Sequence, residues 1–444
     1  MQVSQQINAR WIIPIDDANS VYEHQALIIQ HDKIIDIVPQ KNLSAYQPKE
    51  VVELNDHALI PGLINAHTHA AMSLLKGLAD DLPLDEWLNN HIWPAETALA
   101  DEDFVRDGSE LAIAEMIKGG TTCFNDMYFF PNQTIAQVLK SGIRANIGAP
   151  VIDFPTRWAK DLDEYVSKGV AIYDETRDDA LITISFAPHA PYTVSDESFK
   201  VIQPIINELG LTTHIHLHET AKEVEESIEQ DKESPIFRLK RLGLLGPDLM
   251  AVHMIGLSTD EIKLVADFGV HVIHCPRSNL KLASGICPVD ALTKAGVNVA
   301  LGTDGSASNN DLDMLSELRT ACLIAKGEST NANTLPAIEA LKIATINGAK
   351  ALGLDKQIGS LEAGKQADIT AINLNSLETQ PVYDAVASVA HSASRSQVSD
   401  VWVAGKRLLD NYKLTTIDEP EVLEKAAKWQ EKIKQFHHRS IKAV

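Results

Sequence analysis

Cysteine is scarce in this chain of 444 residues: Cys123, Cys275, Cys287 and Cys322 are the only four, and no C-x-x-C spacing joins them. A disulfide scaffold is excluded, and the count fits a reducing compartment in which such residues are small and buried. Basic residues are also in deficit. The 39 Lys plus Arg stand against 61 Asp plus Glu, a formal charge of −22, so neither a nucleic acid nor an anionic membrane surface would find the cationic footprint it needs. No run approaches the roughly 18 uninterrupted apolar residues of a membrane helix. Met1 to Arg10 has neither the basic segment nor the apolar core of a signal peptide, and a cytoplasmic location is the expectation that follows. Low-complexity tracts and short-period repeats are missing too, which excludes solenoids and disordered tails.

What is present is an ordinary globular composition, 45% hydrophobic and 23% charged, long enough to bury a large core. The expected partner is a small molecule; a homo-oligomer is compatible with the sequence. Residues 1–58 read as short strands, with Ala26 to Ile29 and Ile34 to Val38 forming a hairpin pattern about a polar turn. That texture returns at Ile369 to Leu374 and Val401 to Ala404. Between the two regions, apolar runs alternate with longer amphipathic stretches such as Asp103 to Lys118 and Asp260 to Phe268. The runs are Leu59 to Ile64, Thr121 to Phe124, Ile182 to Phe186, Thr213 to Leu217, Met250 to Val252, Val270 to Ile273 and Val297 to Leu301. Strands separated by helices imply a parallel sheet, and about eight such units before residue 350 match the size of a (β/α)8 TIM-like barrel. A doubly wound sheet would carry a Gly-rich dinucleotide fingerprint, and none follows the early strands. The expected division is a β-sandwich built from residues 1–58 and 358–415, a catalytic barrel over 59–357, and a closing segment over 416–444 with an amphipathic helix at Glu419 to His437.

Chemistry gathers at the ends of the apolar runs. In Pro61-Gly62-Leu63-Ile64-Asn65-Ala66-His67-Thr68-His69, two histidines stand two apart, which on a strand places both on one face. With 16 His in the chain, one such pair carries little weight. It gains weight from Thr213-His214-Ile215-His216-Leu217-His218-Glu219, from His253 and His274 at the ends of the next two runs, and from Asp304 in the Gly-flanked turn of Gly302-Thr303-Asp304-Gly305. Taken singly, each histidine reads as a hydrogen-bonded structural residue, Glu219 as solvated and Asp304 as a turn residue. Five strand ends carrying ligand-type residues, at the face where barrels perform chemistry, read instead as a metal centre. Histidines with one carboxylate suit Zn²⁺.

The segments PGLINAHTHAAMSLLKG, HIHLHET, HCPRSNLKLASG and GTDGSASNN resemble the metal-dependent amidohydrolase superfamily, in its branch of aminohydrolases acting on purines, triazines and related rings, and the resemblance covers essentially the whole chain. It implies one Zn²⁺ per subunit held by His67, His69, His216 and Asp304. It further implies Glu219 as the proton-shuttling glutamate, His253 as the histidine orienting the attacking water, and Asp304 as acceptor of that water's proton. With the Trp93-Pro94-Ala95-Glu96 segment the similarity narrows to deaminases of adenine nucleosides, with 5'-methylthioadenosine and S-adenosylhomocysteine ahead of adenosine. There Glu96 would hold the ribose hydroxyls and His189 would reach the nucleoside, while Arg157, with Arg144 as its rival, would contact the tail on the ribose. The other member of the branch to weigh is an amino- or chlorohydrolase of a triazine, guanine or similar ring. Dinuclear relatives use a lysine from the fourth strand, and Ile182 to His189 contains none, so a single metal is expected. The H-x-E and P-C-x-x-C pair of the cytidine-deaminase type does not occur. Met72, Trp87 and Trp93 read as core residues before they read as stacking walls.

Overall fold

The computed structural model describes the backbone of residues 1–443 and the side chains of residues 1–437. Eight parallel strands follow one another in chain order around a barrel: β1 (Leu63–Thr68), β2 (Thr121–Met127), β3 (Arg144–Val151), β4 (Ile182–Pro188), β5 (Thr212–Leu217), β6 (Leu249–His253), β7 (His271–His274) and β8 (Val299–Leu301). The ladder runs unbroken from β1 to β8. Closure comes from the chain just past β8, where the Asp304 amide donates to the His67 carbonyl at 3.0 Å. That approach needs a glycine, because a Cβ on Gly302 would lie 2.8 Å from the His67 amide nitrogen. The helix Ile346–Ala351 lies under the opposite end. There Ile64, Cys123, Met250 and Ile273 pack in one buried cluster with Ala349 and Leu352, so the apolar plug is at the bottom and the polar strand ends are at the top.

The two chain ends build the second unit as one mixed ladder of eight strands. Gln2–Ile12, Tyr22–Gln30, Lys33–Pro39 and Gln47–Pro61 come from the start, and Ile369–Asn373, Val398–Val403, Lys406–Asp410 and Lys413–Leu414 come from the end. They are joined where Ile369–Asn373 pairs antiparallel with His57–Pro61. Ile7, Leu27, Ile29, Leu59, Ile369 and Trp402 form its core. The final helix, Glu419–Ala443, returns to the barrel side, where Trp429 packs edge-on against Phe104 with ring centroids 5.3 Å apart and its indole N–H donates to Asp107 at 2.9 Å.

One boundary and one strand depart from the sequence reading for physical reasons. The run from Leu59 is divided: Leu59–Pro61 finishes the long outer strand, and the barrel strand begins only at Leu63, since Pro61 has no N–H to continue a ladder and the Gly62 amide turns to the Asp368 carbonyl at 3.0 Å. β3 has no counterpart among the predicted runs. Its sequence, RANIGAPV, opens on a charge and carries Asn, Gly and Pro, so no apolar run marks it although every residue is buried.

Arg144 explains how that charge is tolerated. It stands at the bottom of β3, where its Nε donates to Asp368 Oδ2 at 3.0 Å and its Nη1 to the Ala180 carbonyl at 2.8 Å, with both charged side chains 3% exposed or less. The pair pins the barrel to the second unit at the end opposite the polar strand tips. Removing one partner of such a buried pair strands the other charge. Arg144→Ala is therefore expected to cost about 3–5 kcal/mol in urea unfolding, with the affinity of the folded fraction for its ligand unchanged. A variant that unfolded like the parent but bound ligand weakly would return Arg144 to the binding site.

Candidate metal and active site

Four candidate ligands converge at the top of the barrel. His67 and His69 come from β1 and the residue after it, His216 from β5, and Asp304 from the turn after β8; one ligand atom from each lies within 4.8 Å of all the others. Asp304 Oδ1 is 3.4 Å from His67 Nε2 and 3.3 Å from His69 Nε2, and His216 Nε2 is 3.3 Å from His69 Nε2. Each imidazole is oriented from behind. His69 Nδ1 donates to the Met127 carbonyl at 2.6 Å and His216 Nδ1 to the His189 carbonyl at 2.7 Å, while His67 Nδ1 meets His214 Nε2 at 2.8 Å. This leaves Nε2 of each facing the centre, and His67 Nε2 is buried with no hydrogen-bond partner among the described residues. An orphaned buried nitrogen beside two further imidazoles and a carboxylate fits a divalent cation of the zinc type.

Electrostatics favour the same reading. Burial, reinforced by neighbouring imidazoles, lowers His67 to about 4 and His216 well below the ordinary histidine value. Both are therefore neutral, the form that binds metal. Asp304 behaves oppositely: burial works against its charge, but the His67 contact and the surrounding imidazoles outweigh it and hold the carboxyl well below the usual range. Its Oδ2 accepts from Ser278 at 2.6 Å and Ser308 at 2.8 Å, and its Oδ1 from the Gly305 amide at 2.7 Å. The backbone is left-handed at His218 (φ 51°), His253 (φ 74°) and Asp304 (φ 61°). Non-glycine residues hold that conformation at a cost of about 1–3 kcal/mol, which places three strained positions at the strand ends that carry the chemistry.

A cavity of about 480 Å³ opens onto this centre, within the size range of small-molecule sites, and Glu96, Arg157, His189, Glu219 and Asp304 all line it. Glu219 is buried; its Oε2 accepts from Tyr192 Oη at 3.2 Å and its Oε1 lies 3.8 Å from His253 Nε2. Burial raises its carboxyl above the ordinary value. His253 Nδ1 donates to Asn279 Oδ1 at 2.8 Å, and its Nε2 has no hydrogen-bond partner among the described residues. Glu96 sits in the helix Trp93–Leu99, 8% exposed, and accepts from Tyr128 Oη at 2.6 Å; burial pushes it up to about 7 against that hydrogen bond. Met72 and Trp87 are buried and, like Trp93, also form cavity wall.

The four candidate ligands, Glu219, His253, Glu96, His189 and Arg157 are thus brought together. Arg144 is not, and His274 lies buried with neither ring nitrogen hydrogen-bonded among the described residues. Sequence reasoning assigned nothing to Tyr128, Tyr192, Ser278, Asn279 or Ser308. Ser278, Asn279 and Ser308 do fall within the HCPRSNLKLASG and GTDGSASNN segments; the tyrosines carry no spacing that marks them.

Comparison with known proteins gives the same direction. The Amidohydrolase family model matches residues 58–408. A 5-methylthioadenosine/S-adenosylhomocysteine deaminase of Teredinibacter turnerae is 50% identical over 96% of this chain and 97% of its own. A 5'-deoxyadenosine deaminase of Methanobrevibacter smithii is 39% identical over 92% and 94% respectively. Among solved structures, an adenosine deaminase from Xanthomonas campestris with bound zinc is 47% identical, covers 98% of this chain and 99% of its own, and superposes with a TM-score of 0.97.

Proposed function

Since this chain belongs to the amidohydrolase family, we propose that its cavity hydrolyses the exocyclic amine of adenine nucleosides, 5'-methylthioadenosine and S-adenosylhomocysteine ahead of adenosine, giving the inosine analogue and ammonia. The observation that carries this reading is that one cavity holds both a cation-type centre and a buried carboxylate, Glu96, set apart from it. A free ring amine or a triazine has no ribose for Glu96 to hold; a nucleoside offers it two hydroxyls.

His67, His69, His216 and Asp304 would hold one Zn²⁺ per subunit, and the absence of a lysine from β4 (ITISFAP) supports a single ion. A cation there supplies the Lewis acidity that makes water a competent nucleophile near neutral pH. His253 orients the attacking water through Nε2, Asp304 accepts its proton, and Glu219 delivers a proton to the ring nitrogen beside the carbon under attack. Asp304 returns its proton to the departing amine, the hydroxyl proton of the adduct goes back to Glu219 as the C=O forms, and ammonia leaves. His189 reaches the nucleoside, and Arg157 is the only Lys or Arg among the described residues on the cavity lining, suited to the carboxylate of an S-adenosylhomocysteine tail. Leu84, Leu88, Ile152 and Phe154 supply apolar wall for a thioether.

The test is a panel on zinc-loaded protein, following ammonia release and the adenine-to-hypoxanthine absorbance change with the three nucleosides, guanine, an aminotriazine and AMP. The nucleosides should turn over and AMP should not, because a phosphate dianion would meet one arginine in a strongly acidic chain. Turnover of guanine or triazine alone would replace the assignment. Glu96 yields a second expectation. An ionised carboxylate accepting ribose hydroxyls is worth roughly 1.5–3 kcal/mol, so Glu96→Gln should raise KM for nucleosides about 10- to 100-fold. With a carboxyl near 7, protonation on lowering the pH removes acceptor strength, so parental KM should climb below neutrality while the Gln variant shows no such climb. A flat parental profile would deny Glu96 this role.

A further inference from the structure

The HIHLH segment contains a histidine that the reaction scheme leaves unused. His214 is two residues before His216 on β5, on the same face, and fully buried. Two of the three metal-facing imidazoles are backed by backbone carbonyls, which only accept, so His69 and His216 carry a proton at Nδ1 and turn Nε2 to the centre. His67 is different. Its Nδ1 is backed at 2.8 Å by His214 Nε2, a group able either to give or to take a proton.

We propose that His214 is a positioning residue for the metal centre: its Nε2 accepts the Nδ1 proton of His67 and so fixes His67 in the tautomer whose Nε2 can bind a divalent cation. This rests on the metal-centre reading above. Only one proton fits between the two nitrogens. If His214 donated it, His67 would carry its own proton on Nε2, pointing at Asp304 Oδ1 3.4 Å away, and could not be a ligand. When His67 donates, the single proton of neutral His214 resides on its Nδ1, which meets no hydrogen-bonding side chain among the described residues. Asn125 Oδ1 on β2, Asn146 Oδ1 on β3 and Ser185 Oγ on β4 are buried and likewise unpartnered, so the barrel interior contains further acceptors. Groups that orient metal-binding histidines in this way are worth about 10- to 100-fold in affinity.

The experiment is zinc titration of the metal-free chain against a chelating dye, on the parent, His214→Phe and His214→Gln, with circular dichroism confirming that each is folded. Phe fills the space without accepting a hydrogen bond and should weaken zinc about 10- to 100-fold; the Gln carbonyl can accept and should restore affinity to near the parent's. Parental affinity in the Phe variant, or Gln as weak as Phe, overturns the proposal. Should the Phe variant fail to fold, ¹⁵N-histidine NMR of the unaltered zinc-loaded chain decides, expecting a protonated Nδ1 and a bare Nε2 on His214; a protonated Nε2 overturns it. A parent chain that takes up no zinc overturns this inference and the metal-centre reading together, whereas zinc uptake without nucleoside turnover touches only the substrate assignment.

Discussion

Glu219→Gln is expected to lower kcat by about 10²- to 10⁴-fold, the range for losing a positioned proton donor, while zinc content stays at the parental level. The separation follows from geometry. Glu219 stands outside the group of four convergent ligand atoms, yet lines the same cavity with Oε1 3.8 Å from His253 Nε2. A glutamine preserves size and the contact with Tyr192 but cannot exchange a proton with a ring nitrogen. Burial raises the Glu219 carboxyl above its ordinary value, the direction that helps it hold the proton it delivers. The Tyr192 hydrogen bond opposes that rise, so Tyr192→Phe should shift the pH profile of kcat upward with a much smaller loss of rate. Steady-state kinetics and metal analysis on the same preparations provide the check. Parental turnover in Glu219→Gln would remove the residue from the mechanism.

The parts of this site legible in the sequence share one physical property: they are polar residues ending apolar runs. In a parallel barrel such a run is a buried strand, so its last polar residue must stand at the catalytic face. That logic suffices for His67, His69, His216, His253 and Asp304 without knowledge of which strands are neighbours. It fails where depth along a strand matters. Arg144 and Arg157 look alike in sequence, but Arg144 is the first residue of β3, where Asp368 from a segment more than two hundred positions away neutralises it, and Arg157 follows the far end of the same strand. No local pattern encodes that partnership. β3 escaped detection for a related reason, since its charge and its small residues are made tolerable by tertiary contacts. Tyr128, Tyr192, Ser278, Asn279 and Ser308 act by supporting other side chains, and such a role appears only once the side chains they support have been placed.

Asp304→Asn is expected to be the most informative change at the metal centre, because it separates two duties of one carboxylate. Its Oδ2 is saturated by the Ser278 and Ser308 hydroxyls and its Oδ1 faces His67 and His69, so the amide oxygen can occupy one of these positions with little steric cost. What disappears is the negative charge. Zinc affinity should fall at least about tenfold, on the scale of lost metal-site support, and thermal stability in excess zinc should fall with it, since a ligand at about a thousand times its Kd contributes roughly 4 kcal/mol to the folded state. Raising the zinc concentration should then restore occupancy and Tm but not turnover, because an amide cannot accept the proton of the attacking water; a deficit of about 10²- to 10⁴-fold should persist at saturation. Metal content, Tm and kcat measured along one zinc titration distinguish the outcomes. Parental turnover once zinc is saturating would assign Asp304 to metal binding alone and move the proton acceptor elsewhere, with Glu219 on the same cavity lining as the candidate to test next.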